Sequence, residues 1–345
     1  MCGTDLVRPI PVQLGLPLFA RRLFPSRVAP WANHMWAAWA SRSLDNIDAD
    51  LVHISDGSHA YVVPQRRQRP VIVTAHDVIP ALRASGRFGG SRGSVPARCI
   101  VAATADGLRR ADRVVAVSKR TAADLREVGA RLDDRVDIVP CSLPPKGRRL
   151  LARAVVDWSE RRERAPYVLH VGHGAFYKSR DGVVRAFAAG TVGTRVNLVL
   201  AGAPPSRSLL SLIDSLGLVG RVTYAVSPND LELEQLYRGA SLFLFPSVYE
   251  GFGLPPLEAM AAGCPIVCSR GGALPEVVGD AAIMAQANDI SGLARSINRV
   301  LCDESLALDL IDRGRRRAGE FTVEKMGKGL IASYRAALSR RRDCT

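Results

Sequence analysis

Residues 242–269 read LFLFPSVYEGFGLPPLEAMAAGCPIVCS, and the fold is decided there. LFLFPS is apolar almost throughout, which suits a strand covered on both faces. Gly251 and Gly253 follow, and glycine allows backbone conformations and close approaches that a Cβ resists. Pro255 and Pro256 suit the first turn of a helix, where a missing N–H costs nothing, and Gly263 suits its end. PIVCS then opens a second buried strand. The pattern predicts strand, glycine turn, short helix and strand. The amino end of such a helix presents unpaired N–H groups and the positive end of its dipole, a place for an anion such as a diphosphate. Glu250 stands in the loop and Glu258 in or near the first turn, so two carboxylates approach one ligand from different sides. Each accepts two hydroxyl hydrogen bonds, which matches vicinal hydroxyls.

Outward from this stretch, short β-branched runs recur: LVHIS (51–55), VIVTA (71–75), RVVAVS (113–118), VDIVP (136–140), YVLHVG (167–172) and VNLVLAG (196–202). Longer amphipathic segments separate them, a rhythm that predicts parallel sheets with helices on both faces. The Pro- and Arg-rich passage 140–166 divides the runs into two sets and reads as a linker. The expectation is two doubly wound α/β domains, 1–150 and 151–320, followed by an amphipathic helix with a basic tail at 321–345. Ligands in open α/β sheets collect beyond the carboxyl ends of the strands, so the cleft between the domains is the expected site.

The chain has 345 residues, 47% hydrophobic and 23% charged, enough apolar material for two cores. Its net charge is +14, and Lys supplies only 5 of the 47 basic residues. That charge favours acidic partners such as nucleoside diphosphates or anionic lipid head groups. Nucleic acid is not expected, because no helix-turn-helix, zinc finger or RNP-type motif is present. No apolar run reaches the roughly 20 residues a membrane-spanning helix needs. Trp31, Trp36 and Trp39 with Arg21, Arg22, Arg27 and Arg42 read as a helix covering the sheet, with peripheral contact to an anionic membrane as the competing reading. The seven cysteines show no metal-ligand spacing and fit a reducing compartment, so the expected location is the cytoplasm or the inner face of its membrane. No metal is expected: Asp48-Ala49-Asp50 precedes a strand instead of ending one. Oligomeric state stays open.

In order and spacing, four segments resemble the retaining glycosyltransferases of group 1, with their E-x7-E signature at Glu250 and Glu258: residues 242–269, YVLHVGHGAFYKSRDGVVRAF (167–187), VSPNDLELEQLYRGASLFLFPS (226–247) and GGALPEVVGDAAI (271–283). The resemblance implies the GT-B fold, two Rossmann-like doubly wound parallel-sheet domains facing a cleft, with the last helix crossing back to the first domain. It also implies site roles. Glu250 would contact the donor hexose, Glu258 the ribose hydroxyls, and the backbone of Gly251, Phe252, Gly253 and Leu254 the sugar and diphosphate. Gly172, His173 and Val226 would complete the donor site, and Lys178 would neutralise the leaving phosphate. Lys178 also stands out by itself, as a compact point charge in a chain that otherwise prefers Arg. His76, directly after VIVTA, resembles the cleft histidine that positions the sugar or acceptor, with Asp77 orienting its ring. Lys178, Glu250 and His76 form the expected catalytic set.

The implied reaction moves a hexose, mannose on the Tyr177-Lys178 form of the phosphate segment, from a nucleoside diphosphate to a hydroxyl of a glycan or lipid-linked acceptor, without a cofactor. The alternative is a non-catalytic subunit that binds donor or partner. Two departures from the family bear on that choice. The opening MCGTDLVRPIPVQLG is matched to the second strand, so the first βα unit is expected to be missing. Where the family often pairs an Arg with the Lys stand His173 and Gly174, leaving Arg180 as the substitute cation. Ser118 is expected to cap a helix, His53, His59 and His170 to be structural, and Cys264 and Cys268 to pack within strands.

Overall fold

The computed structural model describes residues 48–342 except 66, 67, 91, 130, 131 and 133. The expected missing βα unit and the Trp–Arg face lie outside the described residues.

Four strands, β1 (Val52–Ile54), β2 (Val71–Ala75), β3 (Arg113–Ala116) and β4 (Val136–Ile138), form one parallel sheet in that order. Helices α1 (Ile79–Ala84) and α2 (Val95–Arg110) join β2 to β3, and α3 (Lys119–Glu127) joins β3 to β4. Every residue of β2 is buried. Its alternate side chains enter two different layers, because successive Cβ atoms of a strand point to opposite faces. Val71, Val73 and Ala75 pack with Leu82, Leu108 and Leu125, while Ile72 packs with Val115 and Ala337.

The second unit runs through α4 (Pro145–Ala152), α5 (Trp158–Arg164), β5 (Tyr167–Gly172), α6 (Arg180–Gly190), β6 (Asn197–Gly202), α7 (Arg207–Ser215) and β7 (Val222–Val226). It continues through α8 (Asp230–Gly239), β8 (Leu242–Phe245), α9 (Leu254–Ala261), β9 (Ile266–Ser269), α10 (Leu274–Val278), β10 (Ala282–Ala285), α11 (Ile290–Cys302) and α12 (Glu304–Gly319). Its strands pair in the order β10-β9-β8-β5-β6-β7, all parallel. From β5 the chain winds outward to β6 and β7, then returns to the other side of β5 as β8. The switch in winding direction opens a crevice beyond the carboxyl ends of β5 and β8. One face of this sheet packs on α8 and α9 through Tyr237, Leu257 and Met260, the other on α6, α7 and α11 through Phe187, Leu209 and Ile297.

The last helix, α13 (Val323–Arg342), lies against β2, β3 and β4 and closes the open face of the first sheet. The chain therefore passes between the domains twice, and the passes touch: Leu143 N–H donates to Phe321 O at 2.8 Å, and Ser142 N–H to Met326 Sδ at 3.3 Å.

Two sequence expectations need correction. Passage 140–166 is no free linker: α4 and α5 lie in it, Trp158 is fully buried, and its indole N–H donates to Ser241 O at 2.8 Å. The Arg residues that suggested a linker belong to the outer faces of these helices and to Arg161, a buried guanidinium held by the carbonyls of Ala240, Gly263 and Val156. Strands β7 and β10 were not anticipated. Both are sheet edges and only partly buried: β7, VTYAV, is mixed, and β10, AIMA, is apolar throughout but only four residues long, too short for its pattern to separate strand from helix.

Candidate functional site

The site forms where the loops after β5 and β8 meet. After β8, Gly253 takes φ 123°, a conformation closed to most side chains, and serves as the residue preceding α9. Pro255 and Pro256 then lie in the first turn of α9, which starts at Leu254. Leu254 is 38% exposed, whereas Phe252 is buried edge-on against Phe321, so Phe252 offers a ligand its backbone and not its ring.

After β5 the chain makes one 3-10 turn, Phe176–Lys178. Lys178 Nζ reaches Glu250 Oε1 at 2.8 Å and Oε2 at 3.0 Å, and each residue is only 7% exposed. The rings of Tyr177 and Phe245 lie 5.5 and 5.1 Å from the ammonium. Burial pushes the Glu250 carboxyl above the usual range, against the pull of Lys178. The two groups thus hold each other beside the amino end of α9.

Glu258 is the fifth residue of α9, just past its first turn, as the sequence pattern placed it. It is buried and accepts a hydrogen bond from Tyr237 O–H at 3.0 Å, with Lys146 Nζ at 3.3 Å. Burial raises its pKa, while Lys146 and the Tyr237 hydrogen bond hold it down. Sequence reasoning missed both partners. Lys146 carried a signal, being as rare in this chain as Lys178, but it stood in the supposed linker.

Gly172, Gly202 and Val226 pair across β5, β6 and β7 and form a row at the carboxyl ends, with Val226 52% exposed. His173 is exposed; its Nδ1 accepts from Ala175 N–H at 3.3 Å and its Nε2 lies 3.2 Å from Tyr177 Oη. Arg180 does not turn toward Lys178: its Nη1 donates to the carbonyls of Ala203 at 2.9 Å and Pro204 at 3.2 Å. The expectation of a substitute phosphate cation fails there, because those carbonyls hold the guanidinium on the far side of the turn.

From the first domain, His76 comes to the same loop through its backbone. A Cβ built on Gly251 would sit 1.9 Å from His76 O and 2.7 Å from Asp77 Cβ. The His76 ring is exposed, with Nε2 2.9 Å from Ser55 O. Asp77 does not orient it: the Asp77 carboxylate accepts from Ile79 N–H at 2.9 Å and so holds the start of α1. Ser118 Oγ accepts from Thr121 N–H at 2.9 Å, capping α3, and donates to Gly251 O at 2.8 Å. Glu276 crosses from the second domain to accept the N–H groups of Lys119 and Arg120 at 2.8 and 2.7 Å. Tyr249 O–H donates to Asp124.

Among the described residues, His170 and His53 hold local structure and His59 lies at the surface. His170 is fully buried, its Nδ1 3.0 Å from Leu244 O, and burial lowers its pKa to about 3. His53 lies 2.8 Å from both Tyr334 Oη and Thr74 Oγ1, tying α13 to β2, and His59 is exposed beside Asp56. Cys264 and Cys268 are buried. Asp48 and Asp50 are exposed ahead of β1.

Comparison with known proteins agrees with this geometry. A family model described as Glycosyltransferase Family 4 matches residues 7–180, and one described as Glycosyl transferases group 1 matches residues 156–317. The chain is 35% identical over 173 residues to O-antigen chain mannosyltransferase B of Escherichia coli, covering 49% of this chain and 45% of the relative. It is 29% identical over 341 residues to D-inositol 3-phosphate glycosyltransferase of Salinispora arenicola, covering 91% and 74%. An Anabaena protein crystallised in complex with UDP and glucose superposes with a TM-score of 0.73 at 19% identity, over 88% of this chain and 82% of the other. With a model matched across each half and a shared two-domain architecture, the chain belongs to the group 1, family 4 glycosyltransferases and has their GT-B fold.

Proposed function

We propose that this chain transfers a hexose from a nucleoside diphosphate sugar to a hydroxyl of a glycan or lipid-linked acceptor, with retention of configuration. The observation that carries the reading is the buried Lys178–Glu250 pair beside the amino end of α9, at the switch point of the larger sheet. A diphosphate seated on the Gly251–Leu254 backbone that leads into α9, ahead of Pro255 and Pro256 which have no N–H, gives Lys178 a more highly charged partner than Glu250, and Glu250 is then free to accept hydroxyls of the sugar. Charge developing on the leaving phosphate is the main electrostatic demand of the transfer, and a preset ammonium meets it without reorganising. Glu258, with Oε2 held by Tyr237 and Oε1 by Lys146, keeps a further lone pair on each oxygen for the ribose hydroxyls. The backbone of His76, pressed on Gly251, brings the first domain to the sugar. Glu250 and Glu258 are not proposed as an acid/base pair of a hydrolase. Mannose is the first hexose to test, on the mannosyltransferase likeness and the Tyr177-Lys178 form.

The acceptor side of the proposal includes peripheral membrane contact; among the described residues no helix is long and apolar enough to cross a membrane.

The test is the melting temperature of the purified chain against UDP-, GDP-, ADP- and dTDP-sugars, because a ligand that binds only the folded state raises it. One base is expected to stabilise the wild type and not Glu258→Ala, with slow release of free sugar from the stabilising donor. Stabilisation without release or transfer, over a range of acceptors, is the outcome that favours a donor-binding subunit. No stabilisation by any nucleotide sinks the donor site.

A further inference from the structure

On the face of the larger sheet that carries α6 and α7, opposite α8 and α9, a crevice of about 320 Å³ lies at the amino ends of α6 and α7. Phe176, Ser179, Arg180, Asp181, Pro204 and Ser206 are among its lining residues. Arg180 is 8% exposed. Its Nη1 is used by the carbonyls of Ala203 and Pro204, but its Nε and Nη2 have no hydrogen-bond partner. Burial pulls the guanidinium pKa down. Asp181, next in sequence, is exposed and makes no ion pair with it. A buried cation with unmet donors is costly, because the water it gave up is not replaced by other acceptors.

Nε and Nη2 form one edge of the guanidinium plane, the edge that meets two oxygens of a carboxylate or phosphate side by side. The amino end of α7 reaches the same crevice through Ser206 and Leu209. Helix α7 begins after Ser206, whose Oγ accepts from Leu209 N–H at 3.2 Å and lies 2.9 Å from Ser208 Oγ. The N–H groups of Arg207 and Ser208 precede the first intrahelical bond and have no acceptor within the helix. The amino end of α7 thus brings the positive end of its dipole to the crevice that Arg180 lines.

We propose that this crevice is a second anion site, separate from the donor site, that binds a small phosphoryl or carboxylate group between the Nε/Nη2 edge of Arg180 and the amino end of α7. Separation follows from the opposite turns of the two cations, Lys178 to Glu250 and Arg180 to the 203–204 carbonyls. Because both free nitrogens are covered, the anion enters by displacing part of the lining. The adjoining turn offers the movable part: Phe176 is 46% exposed, and the chain bends after Lys178 through Ser179 at φ 52°.

The test titrates the full chain with inorganic phosphate at constant ionic strength and follows the melting temperature. A phosphate-dependent rise is expected in the wild type and in Lys178→Ala, and its loss when Arg180→Leu is added to Lys178→Ala. A rise that survives in this double variant, one already absent in Lys178→Ala, or none in the wild type overturns the proposal. Should Arg180→Leu fail to fold, Arg180→Lys and Ser206→Ala are each expected to weaken phosphate binding several-fold, and unchanged affinity in both overturns it equally. Vesicles containing phosphatidylglycerol distinguish the source of the phosphoryl group. Competition with free phosphate, dependent on Arg180, assigns the site to a lipid head group, and absence of competition assigns it to a soluble phosphorylated or carboxylated compound.

Discussion

Lys178 and Glu250 are each expensive to bury alone and tolerable together. Removing one partner of a buried pair typically costs about 3–5 kcal/mol, because the other charge is left uncompensated. In Lys178→Ala the charge and hydrogen bonds of Lys178, the main influences that hold the Glu250 pKa down, are lost while the burial that raises it stays. A carboxyl whose folded pKa lies above its unfolded value contributes stability below the unfolded value and loses it as pH rises through the folded one. Urea unfolding should therefore show Lys178→Ala well below wild type at pH 7.5 and closer to it at pH 5, and the double variant with Glu250→Gln should remove that pH dependence. A gap equal at both pH values would mean the pair is not a coupled buried pair. Residue-level legibility was uneven for physical reasons. Glu250, Glu258 and Lys178 were readable because glycine and proline punctuation marks a helix start and because Lys is scarce. Tyr237 was not, since its reach to Glu258 exists only once α8 and α9 pack side by side.

The loop between β8 and α9 is the element on which both domains rest. Gly251 has no room for a side chain, since an added Cβ would lie 1.9 Å from His76 O, and backbone there cannot yield without moving a domain. Gly251→Ala should lower stability by about 1–3 kcal/mol through overpacking and weaken donor binding. Gly319→Ala, whose added Cβ meets nothing within 4 Å, should stay within about 0.5 kcal/mol of wild type by the same unfolding measurement. Equal effects of the two would show that the close approach is not structural. Inner strands were legible for a related reason: β2, β8 and β9 are buried on both faces, so every position had to be apolar or small. The edge strand β7 and the helices of passage 140–166 carry one wet side, and their short mixed patterns do not separate from loop by periodicity alone.

Across the whole molecule the two domains meet through a few directional bonds and an aromatic seam in which Phe88 of the first domain lies edge-on to Phe176 and Tyr249 of the second. Glu276 serves the first two N–H groups of α3 from the opposite domain, the role of an N-terminal cap supplied in trans. Glu276→Gln keeps the shape and loses the charge that strengthens those bonds. Small-angle scattering without donor should give this variant a larger radius of gyration than wild type, with the difference removed by a stabilising nucleotide sugar; identical radii without donor would show that this bond does not hold the cleft shut. The cleft itself was foreseeable from the alternation of strands and helices, whereas this fastening, between residues 157 apart in the chain, leaves no local trace. Away from the mouth, the two passes of chain between the domains run side by side, joined from Leu143 to Phe321. Two adjacent straps bound to each other swing about one line and resist sliding or twisting. The lips of the cleft therefore come back to the same alignment each time they close, like the covers of a book held by its spine, and the residues at the mouth need only distance, not search, to find their partners.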